Sequence, residues 1–252
     1  MPSGVINVIT GFGGEAGEAL VKHPQVPIIT FTGSVRTGKR IAKLAADNLK
    51  KVSLELGGKD PVIVCDDADI EVAAKGTSWG GFVNSGQVCT SVERVYVYDS
   101  IVSRFTEALV EEAKKVRLGD PMDDNVDIGP MASKSQFNNT INKVNLAKEQ
   151  GGRVLTGGKR PDQFDSGYFY EPTVFDNITS EMDIVTEESF SPVIPIQKVA
   201  SMSEAVEMAN STKYGLGCTI FTKDIERALT AADKIKSGTV CINSPLMENI
   251  AA

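Results

Sequence analysis

Short apolar segments alternate with amphipathic helical segments along most of this chain, and that alternation limits its fold more than any other feature. PIITFT (27–32) and PVIVC (61–65) are strand-sized apolar runs, and a segment with helical periodicity follows each of them. A helix between two strands returns the chain to the starting end of the sheet, so consecutive strands become parallel. The sequence therefore predicts an α/β fold built on a parallel sheet.

The individual elements follow from these two periodicities and from the turn residues between them. The predicted strands lie at 4–9, 27–32, 52–56, 62–65, 95–98, 172–175, 193–197, 217–222 and 238–243. The predicted helices lie at 15–23, 34–49, 69–82, 100–116, 134–150, 203–211 and 223–236. Ser34 is predicted to cap the second of these helices, whose shared apolar face contains Ile41, Leu44, Ala45 and Leu49.

Gly57 and Gly58 mark the clearest candidate for a boundary between domains. Paired glycines with Pro61 shortly afterwards break a strand and separate two series of elements. The piece before the boundary holds three predicted strands, which are too few to form a sheet covered on both faces. We therefore predict two parts, residues 1–57 and residues 58–252.

The composition argues against several classes of protein, including nucleic-acid-binding, membrane-associated, secreted and metal-binding proteins. The formal net charge is −7 without a concentrated basic patch, so neither nucleic acid nor an anionic membrane surface is an expected partner. No apolar run reaches membrane-spanning length, and the N-terminus lacks the features of a signal peptide. Four scattered cysteines indicate reduced thiols in a cytoplasmic protein. The single histidine, His23, and the lack of clustered cysteines argue against a metal site.

Two glycine-containing turns are candidates for phosphate binding. GFGGEAG (11–17) follows a predicted strand and opens a helix, although its spacing is wider than the dinucleotide fingerprint. Alone it is better interpreted as an ordinary strand–helix turn. FTGS (31–34) repeats the arrangement, and two such turns side by side favour a nucleotide more than either one does.

Cys89 and Glu55 are the candidate reactive residues. Cys89 lies among small polar residues in NSGQVCT (84–90), where a thiol can be either a buried structural group or a nucleophile. Its base would be a carboxylate or water, because His23 is distant in sequence. Glu55 ends an apolar strand, where partial burial would raise its pKa and suit it to general base catalysis; the alternative is a surface carboxylate. Glu93 and Arg94 are predicted to form a local ion pair.

Six motifs in order resemble the aldehyde dehydrogenase superfamily: FTGS, LELGGK, GQVC, EESFSPV, YGLGCTIFT and SGTVCIN. The resemblance runs from about Pro2 to Asn243. It implies a parallel-sheet catalytic domain, residues 58–252, preceded by half of a dinucleotide-binding, Rossmann-like domain, residues 1–57. Members of the family are longer at both ends, so we expect a truncated chain that lacks the start of the cofactor domain and a C-terminal tail used for oligomerisation. The full-length protein is expected to be a homo-oligomer.

The resemblance also implies site residues and a reaction. Cys89 would attack a small-molecule aldehyde, and its backbone N–H would be one oxyanion donor. Hydride would pass to NAD or NADP, and Glu55 would activate the water that hydrolyses the thioester, so both side chains should face one cleft. The implied cofactor-binding residues are Gly11, Gly33, Ser34, Leu56, Glu188 and Phe190, with Ser34 at a phosphate, Glu188 at the nicotinamide-side ribose and Phe190 near that ring.

Two alternatives stay open at this point. One is an acylating relative that passes the thioester to coenzyme A, against which Glu55 argues because a water-activating base would waste the thioester. The other is a truncated homologue that folds and associates without catalysis. The substrate is not determined by the sequence, although CTSVERVYV (89–97) is similar to the branch that oxidises small hydroxyaldehydes such as lactaldehyde.

Overall fold

The computed structural model describes residues 1–244, and the chain divides into two compact units. The smaller unit is Met1–Gly57 and the larger one begins at Gly58. Each unit is described by itself below.

The smaller unit contains a parallel pair of strands, with Ile28 opposite Lys51 and Thr32 opposite Glu55. A π-helical turn at Gly13–Gly17 precedes its regular elements, which are α1 (Glu18–Lys22), β1 (Ile28–Thr32), α2 (Val35–Ala46) and β2 (Lys51–Glu55). The predicted cap of α2 is confirmed: the Ser34 hydroxyl accepts a hydrogen bond from the Thr37 backbone N–H at 3.2 Å.

Two expectations for this unit are wrong. Residues 4–9 do not form a strand; they are exposed, and among the described strands β1 pairs only with β2, so no strand pairs with this segment. Leu49 does not join the buried face of α2, because the helix ends at Ala46 and Leu49 is 93% exposed with a left-handed backbone. The unit therefore has two strands in its described part, where three were predicted.

The larger unit is built on a seven-stranded sheet among the described residues, in the order β5-β6-β7-β4-β3-β8-β9. Neighbouring strands are parallel except for the antiparallel pair β5–β6. The elements are β3 (Asp60–Val64), α3 (Ile70–Phe82), β4 (Val92–Tyr98), α4 (Val102–Lys115), α5 (Lys134–Glu149), β5 (Arg153–Thr156), β6 (Thr173–Asp176), α6 (Asp183–Thr186), β7 (Val193–Val199), α7 (Met202–Ala209), β8 (Gly217–Phe221), α8 (Ile225–Ala232) and β9 (Thr239–Ile242).

β3 shows why the sheet is mostly parallel and buried. Every residue of this strand is buried, and its side chains alternate between two hydrophobic clusters. Val62 and Val64 pack with residues of α3 and α4, whereas Ile63 and Cys65 pack with residues of α7 and α8. Helices that cover both faces of a sheet account for an uninterrupted apolar run in the sequence. The predicted α/β class is confirmed, and the sheet is parallel as predicted except for the β5–β6 pair.

β5 and α6 are present in the structure but were not predicted. β5 is an edge strand of four residues, none of them buried, so its sequence carries little apolar pattern. α6 is a single turn of helix that begins without a side-chain cap. Short, partly exposed elements lack the periodicity on which such predictions depend.

Three loops at one edge of the sheet position the candidate site. They are Gly58–Lys59 before β3, the segment around Cys89 before β4, and 188–190 before β7. Because β7, β4 and β3 are adjacent and parallel, the amino ends of these strands lie side by side. No helix in the described part of the chain is long and apolar enough to cross a membrane.

Candidate active site

A strained turn positions Cys89. Three consecutive residues before it, Asn84, Ser85 and Gly86, have left-handed backbone angles, with φ of 51°, 57° and 68°. Such conformations cost energy for residues other than glycine and persist only where the surroundings hold them; they are common at active sites. The turn is held here by reciprocal hydrogen bonds: Asn84 Nδ2 donates to the Gln87 carbonyl and Gln87 Nε2 donates to the Asn84 carbonyl, both at 3.1 Å.

Contacts outside the turn fix it to the rest of the larger unit. Ser85 Oγ donates to the Gly129 carbonyl at 2.7 Å, and Gln87 Oε1 accepts from the Ala132 backbone N–H at 2.9 Å. Gly86 lies so close to the Ser191 carbonyl that a Cβ atom would overlap it. The glycine therefore lets the Cys89 loop pack against the loop that precedes β7.

The Cys89 thiol is unpaired and half-buried. Burial raises the pKa of the Cys89 thiol, and the nearby Asp60 carboxylate raises it further. Hydrogen bonds from the backbone N–H groups of Cys89 and Thr90 oppose this rise because they stabilise the thiolate. At neutral pH the thiol is mainly protonated, so its use as a nucleophile requires a proton acceptor.

Two carboxyl groups beside Cys89 have unusual properties. Burial raises the pKa of Asp60 to about 7, and its Oδ2 atom is buried without a hydrogen-bond partner among the described residues. Burial, and to a smaller extent the negative charge of Glu93, raise the pKa of Glu188 to about 7. A hydrogen bond from the Gly58 backbone opposes this rise. Carboxyl groups that titrate near neutral pH can accept or donate protons, which suits general acid–base chemistry. Asp60 was not predicted as a site residue.

A buried ion pair lies directly under these groups. Lys59 Nζ contacts Glu93 Oε2 at 2.5 Å, with side chains that are 0% and 2% exposed. The predicted pair between Glu93 and Arg94 is wrong, because adjacent residues of a strand point to opposite faces. Arg94 instead donates to backbone carbonyls of Lys59, Met208 and Ala209.

The smaller unit brings several of its predicted residues together. The Gly33 backbone N–H donates to the Glu55 carbonyl at 3.0 Å. The Leu56 side chain packs against Gly38 of α2, where a Cβ atom would lie 2.5 Å from Leu56 Cδ2. Gly11 lies apart from them in an exposed loop before the π-helical turn.

The expected burial of Glu55 is wrong. Glu55 is exposed, as are Lys51, Val52 and Ser53 of the same strand. β2 borders only β1 among the described strands, and only Leu54 is partly buried.

A cavity of about 750 Å³ lies in the smaller unit, lined by residues of α1, β1 and α2. Its walls are mainly apolar, as is usual for pockets that bind cofactors, and its lining includes Gly13, Gly17, Val21, Phe31, Arg40 and Ile41. Gly11, Gly33 and Ser34 do not line it, although Ser34 caps the helix that contributes Thr37 to its wall. The residues present fit the base and ribose of a dinucleotide.

Limiting iodoacetamide should label Cys89 before the other three thiols. Cys65 and Cys218 are fully buried, and burial raises the pKa of Cys65 to about 11. Cys241 is partly exposed but belongs to strand β9. Peptide mapping after short exposure measures the order of labelling. Faster modification of Cys65 or Cys218 in the folded protein would contradict this expectation.

The fold and the site together define a class of protein: an α/β protein with a half-buried cysteine beside two carboxyl groups whose pKa values are raised by burial. The aldehyde dehydrogenase family model matches residues 1–252, and the chain belongs to the aldehyde dehydrogenase family. It is 42% identical over 243 residues to the chloroplastic aminoaldehyde dehydrogenase ALDH10A8 of Arabidopsis thaliana, covering 96% of this chain and 48% of the relative. It is also 42% identical over 248 residues to the D-glyceraldehyde dehydrogenase (NADP(+)) of Picrophilus torridus, covering 97% and 50%.

A solved structure supports the same assignment. Betaine aldehyde dehydrogenase from Staphylococcus aureus in complex with NAD+ superposes with a TM-score of 0.91 at 42% identity, covering 94% of this chain and 47% of that one. The chain thus spans about half the length of the relatives that it matches.

Proposed function

We propose that the intact protein oxidises an aldehyde to a carboxylic acid, with Cys89 as the nucleophile and NAD or NADP as the hydride acceptor. The observation that carries this proposal is the Cys89 thiol itself, held by a strained turn between backbone N–H donors and two carboxyl groups that titrate near neutral pH. The relatives support it, since each is named as an aldehyde dehydrogenase.

The reaction begins with addition of the Cys89 sulfur to the aldehyde carbon. The thiol proton passes to a neighbouring carboxylate or to water, and the new C–S bond gives a thiohemiacetal whose oxygen accepts a hydrogen bond from the Cys89 backbone N–H. A bound nicotinamide cofactor supplies the hydride acceptor. Loss of hydride from the substrate carbon leaves a thioester on Cys89, and water then cleaves the C–S bond to release the acid and the thiol.

Residues of the smaller unit and of the loop before β7 would bind the dinucleotide. Ser34, at the N-terminus of α2, would contact a phosphate, because the free N–H groups of a helix start favour anions. Gly11, Gly33 and Leu56 would offer backbone groups. Glu188 would accept hydrogen bonds from ribose hydroxyls, and Phe190 would pack near the nicotinamide ring. Relatives named for NAD+ and for NADP(+) leave either cofactor compatible with the family.

Glu55 is proposed as the base that activates the hydrolytic water. It belongs to the smaller unit and Cys89 to the larger one, so a common cleft stays a prediction. Its carboxylate can take a proton from water as the water attacks the thioester. Its presence favours hydrolysis over transfer of the acyl group to coenzyme A.

The assembly, the location and the substrate are proposed at the level of class. We propose a homo-oligomeric protein of the cytoplasm; the names of some relatives place those proteins in chloroplasts or peroxisomes instead. The substrate is a small aldehyde, and hydroxyaldehydes are the first compounds to test. Nucleic acid is not a proposed partner.

A spectrophotometric assay tests the function directly. The intact protein is incubated with NAD or NADP and a panel of aminoaldehydes, hydroxyaldehydes and betaine aldehyde, and reduced cofactor is measured together with the carboxylic acid product. We expect stoichiometric formation of both with at least one aldehyde. Loss of turnover after stoichiometric alkylation of Cys89 would tie the reaction to that thiol, whereas full turnover after alkylation would contradict the proposal.

A further inference from the structure

The Glu93 carboxylate organises the loop before β7. Glu93 lies on β4 and is 2% exposed. Its Oε2 atom accepts hydrogen bonds from the Ser189 backbone N–H and the Ser189 hydroxyl, both at 2.7 Å, and its Oε1 atom accepts one from the Phe190 backbone N–H at 2.7 Å. One side chain thus binds two successive peptide groups of a loop that is 96 residues away in sequence.

Lys59 offsets the energetic cost of burying the Glu93 carboxylate. Its ammonium group contacts Glu93 Oε2, and the Arg94 side chain holds the Lys59 carbonyl at 2.7 Å. Burial lowers the pKa of Lys59, and the charge of Glu93 opposes that effect. Apolar side chains could fill this space without any cost of desolvation. They could not bind two backbone N–H groups and a hydroxyl, which is what the carboxylate does here.

The bound loop has a conformation that needs support. Phe190 has a left-handed backbone with φ of 50°, which is unfavourable for a bulky residue. Gln136 Nε2 donates to the carbonyls of Ser189 and Phe190 at 2.9 and 2.7 Å. The backbone N–H groups of these two residues are therefore bound by Glu93 and their carbonyl groups by Gln136. Glu188 immediately precedes Ser189 in the chain.

We propose that Glu93, neutralised by Lys59, is a positioning residue that fixes the 189–190 backbone and so aims the Glu188 carboxylate at the ribose of the cofactor. This inference rests on the proposed function, which gives Glu188 its role. Glu93 itself contacts neither substrate nor cofactor in this scheme. It acts through hydrogen bonds to the neighbouring peptide groups, and its effect belongs to cofactor binding rather than to attack by Cys89.

The test compares three variants of the intact protein. Glu93→Gln keeps the shape of the side chain but replaces one acceptor oxygen by an NH₂ donor that faces N–H or O–H groups. Lys59→Met/Glu93→Gln removes both buried charges, so that an unpaired ammonium group does not destabilise the fold. Asp67→Asn is the matched control: Asp67 also binds two backbone N–H groups and a hydroxyl, those of Lys223, Asp224 and Thr222, but holds a different loop.

We expect a selective effect on the cofactor. Loss of charge-assisted hydrogen bonds to the loop should raise KM for the dinucleotide by about tenfold to a hundredfold in Glu93→Gln and in the double variant. KM for the aldehyde and the rate of Cys89 alkylation should stay within about twofold of wild type, a difference of only a few tenths of a kcal/mol. Asp67→Asn should leave all three quantities unchanged.

The possible failures are distinguishable. If wild type oxidises aldehydes and both Glu93 variants keep its KM for the cofactor, the positioning role is wrong and the proposed function stands. An equal rise in the KM values of cofactor and aldehyde, or a matching rise in Asp67→Asn, would show a general structural effect and overturn the inference. If wild type neither binds the dinucleotide nor oxidises any aldehyde, both proposals fail together.

Discussion

Replacement of Cys89 by serine should reduce aldehyde oxidation by the intact protein by about a thousandfold or more, because removing a nucleophile disables every step that depends on its covalent bond. A serine hydroxyl is far less acidic than a thiol, so it offers almost no anionic nucleophile at neutral pH, even with Asp60 and Glu188 beside it. The oxygen also fits the space of the sulfur, so the turn should keep its structure. Steady-state formation of reduced cofactor measures the loss.

Two measurements separate this chemical effect from a folding defect. The melting temperature of Cys89→Ser should match that of wild type within a few degrees, because the exchange is small and the site is only half-buried. Cys241→Ser is the control variant, since it makes the same exchange at another partly exposed cysteine and should keep full activity. Substantial turnover by Cys89→Ser would remove this thiol from the mechanism.

Much of the sheet follows from the sequence because its signals are local. The β3 segment is an apolar run in the sequence because helices cover both faces of that strand. Ser34, at the start of α2, makes the hydrogen bond expected of an N-cap. The same rules predicted a strand at 4–9 that does not form, because its apolar residues are exposed and no neighbouring strand pairs with them. Apolar periodicity shows that a segment is able to form a β-strand. Whether the strand forms depends on a neighbouring strand with which it can pair.

The candidate site was predictable only in part, because long-range register assembles it. Cys89 stands out by its small polar neighbours, and Glu188 enters through a family motif. Nothing local indicates that Glu93 binds Lys59, 34 residues earlier, and the Ser189 backbone, 96 residues later. These contacts exist because β3, β4 and β7 are adjacent and their amino ends coincide. Asp60 likewise becomes unusual only through burial, which its sequence neighbours do not reveal.

Glu55→Gln in the intact protein should separate acylation from hydrolysis. Glutamine cannot take a proton from water, and removal of a general base costs about a hundredfold to ten-thousandfold. Attack by Cys89 and hydride loss do not need Glu55, so a rapid burst of reduced cofactor, stoichiometric with enzyme, should precede very slow turnover. Rapid mixing with aldehyde and cofactor measures the burst, and intact-mass analysis should find the substrate acyl group on the protein.

The trapped thioester gives this prediction a second, independent readout. Peptide mapping should place the acyl group on Cys89, and hydroxylamine, a stronger nucleophile than water, should release it without help from residue 55. Asp47→Asn is the matched control, because Asp47 is another exposed carboxylate of the smaller unit and should turn over like wild type without a burst. Unimpaired steady-state turnover of Glu55→Gln would assign the base to another group, and the two carboxyl groups beside the sulfur, Asp60 and Glu188, would be the next to replace.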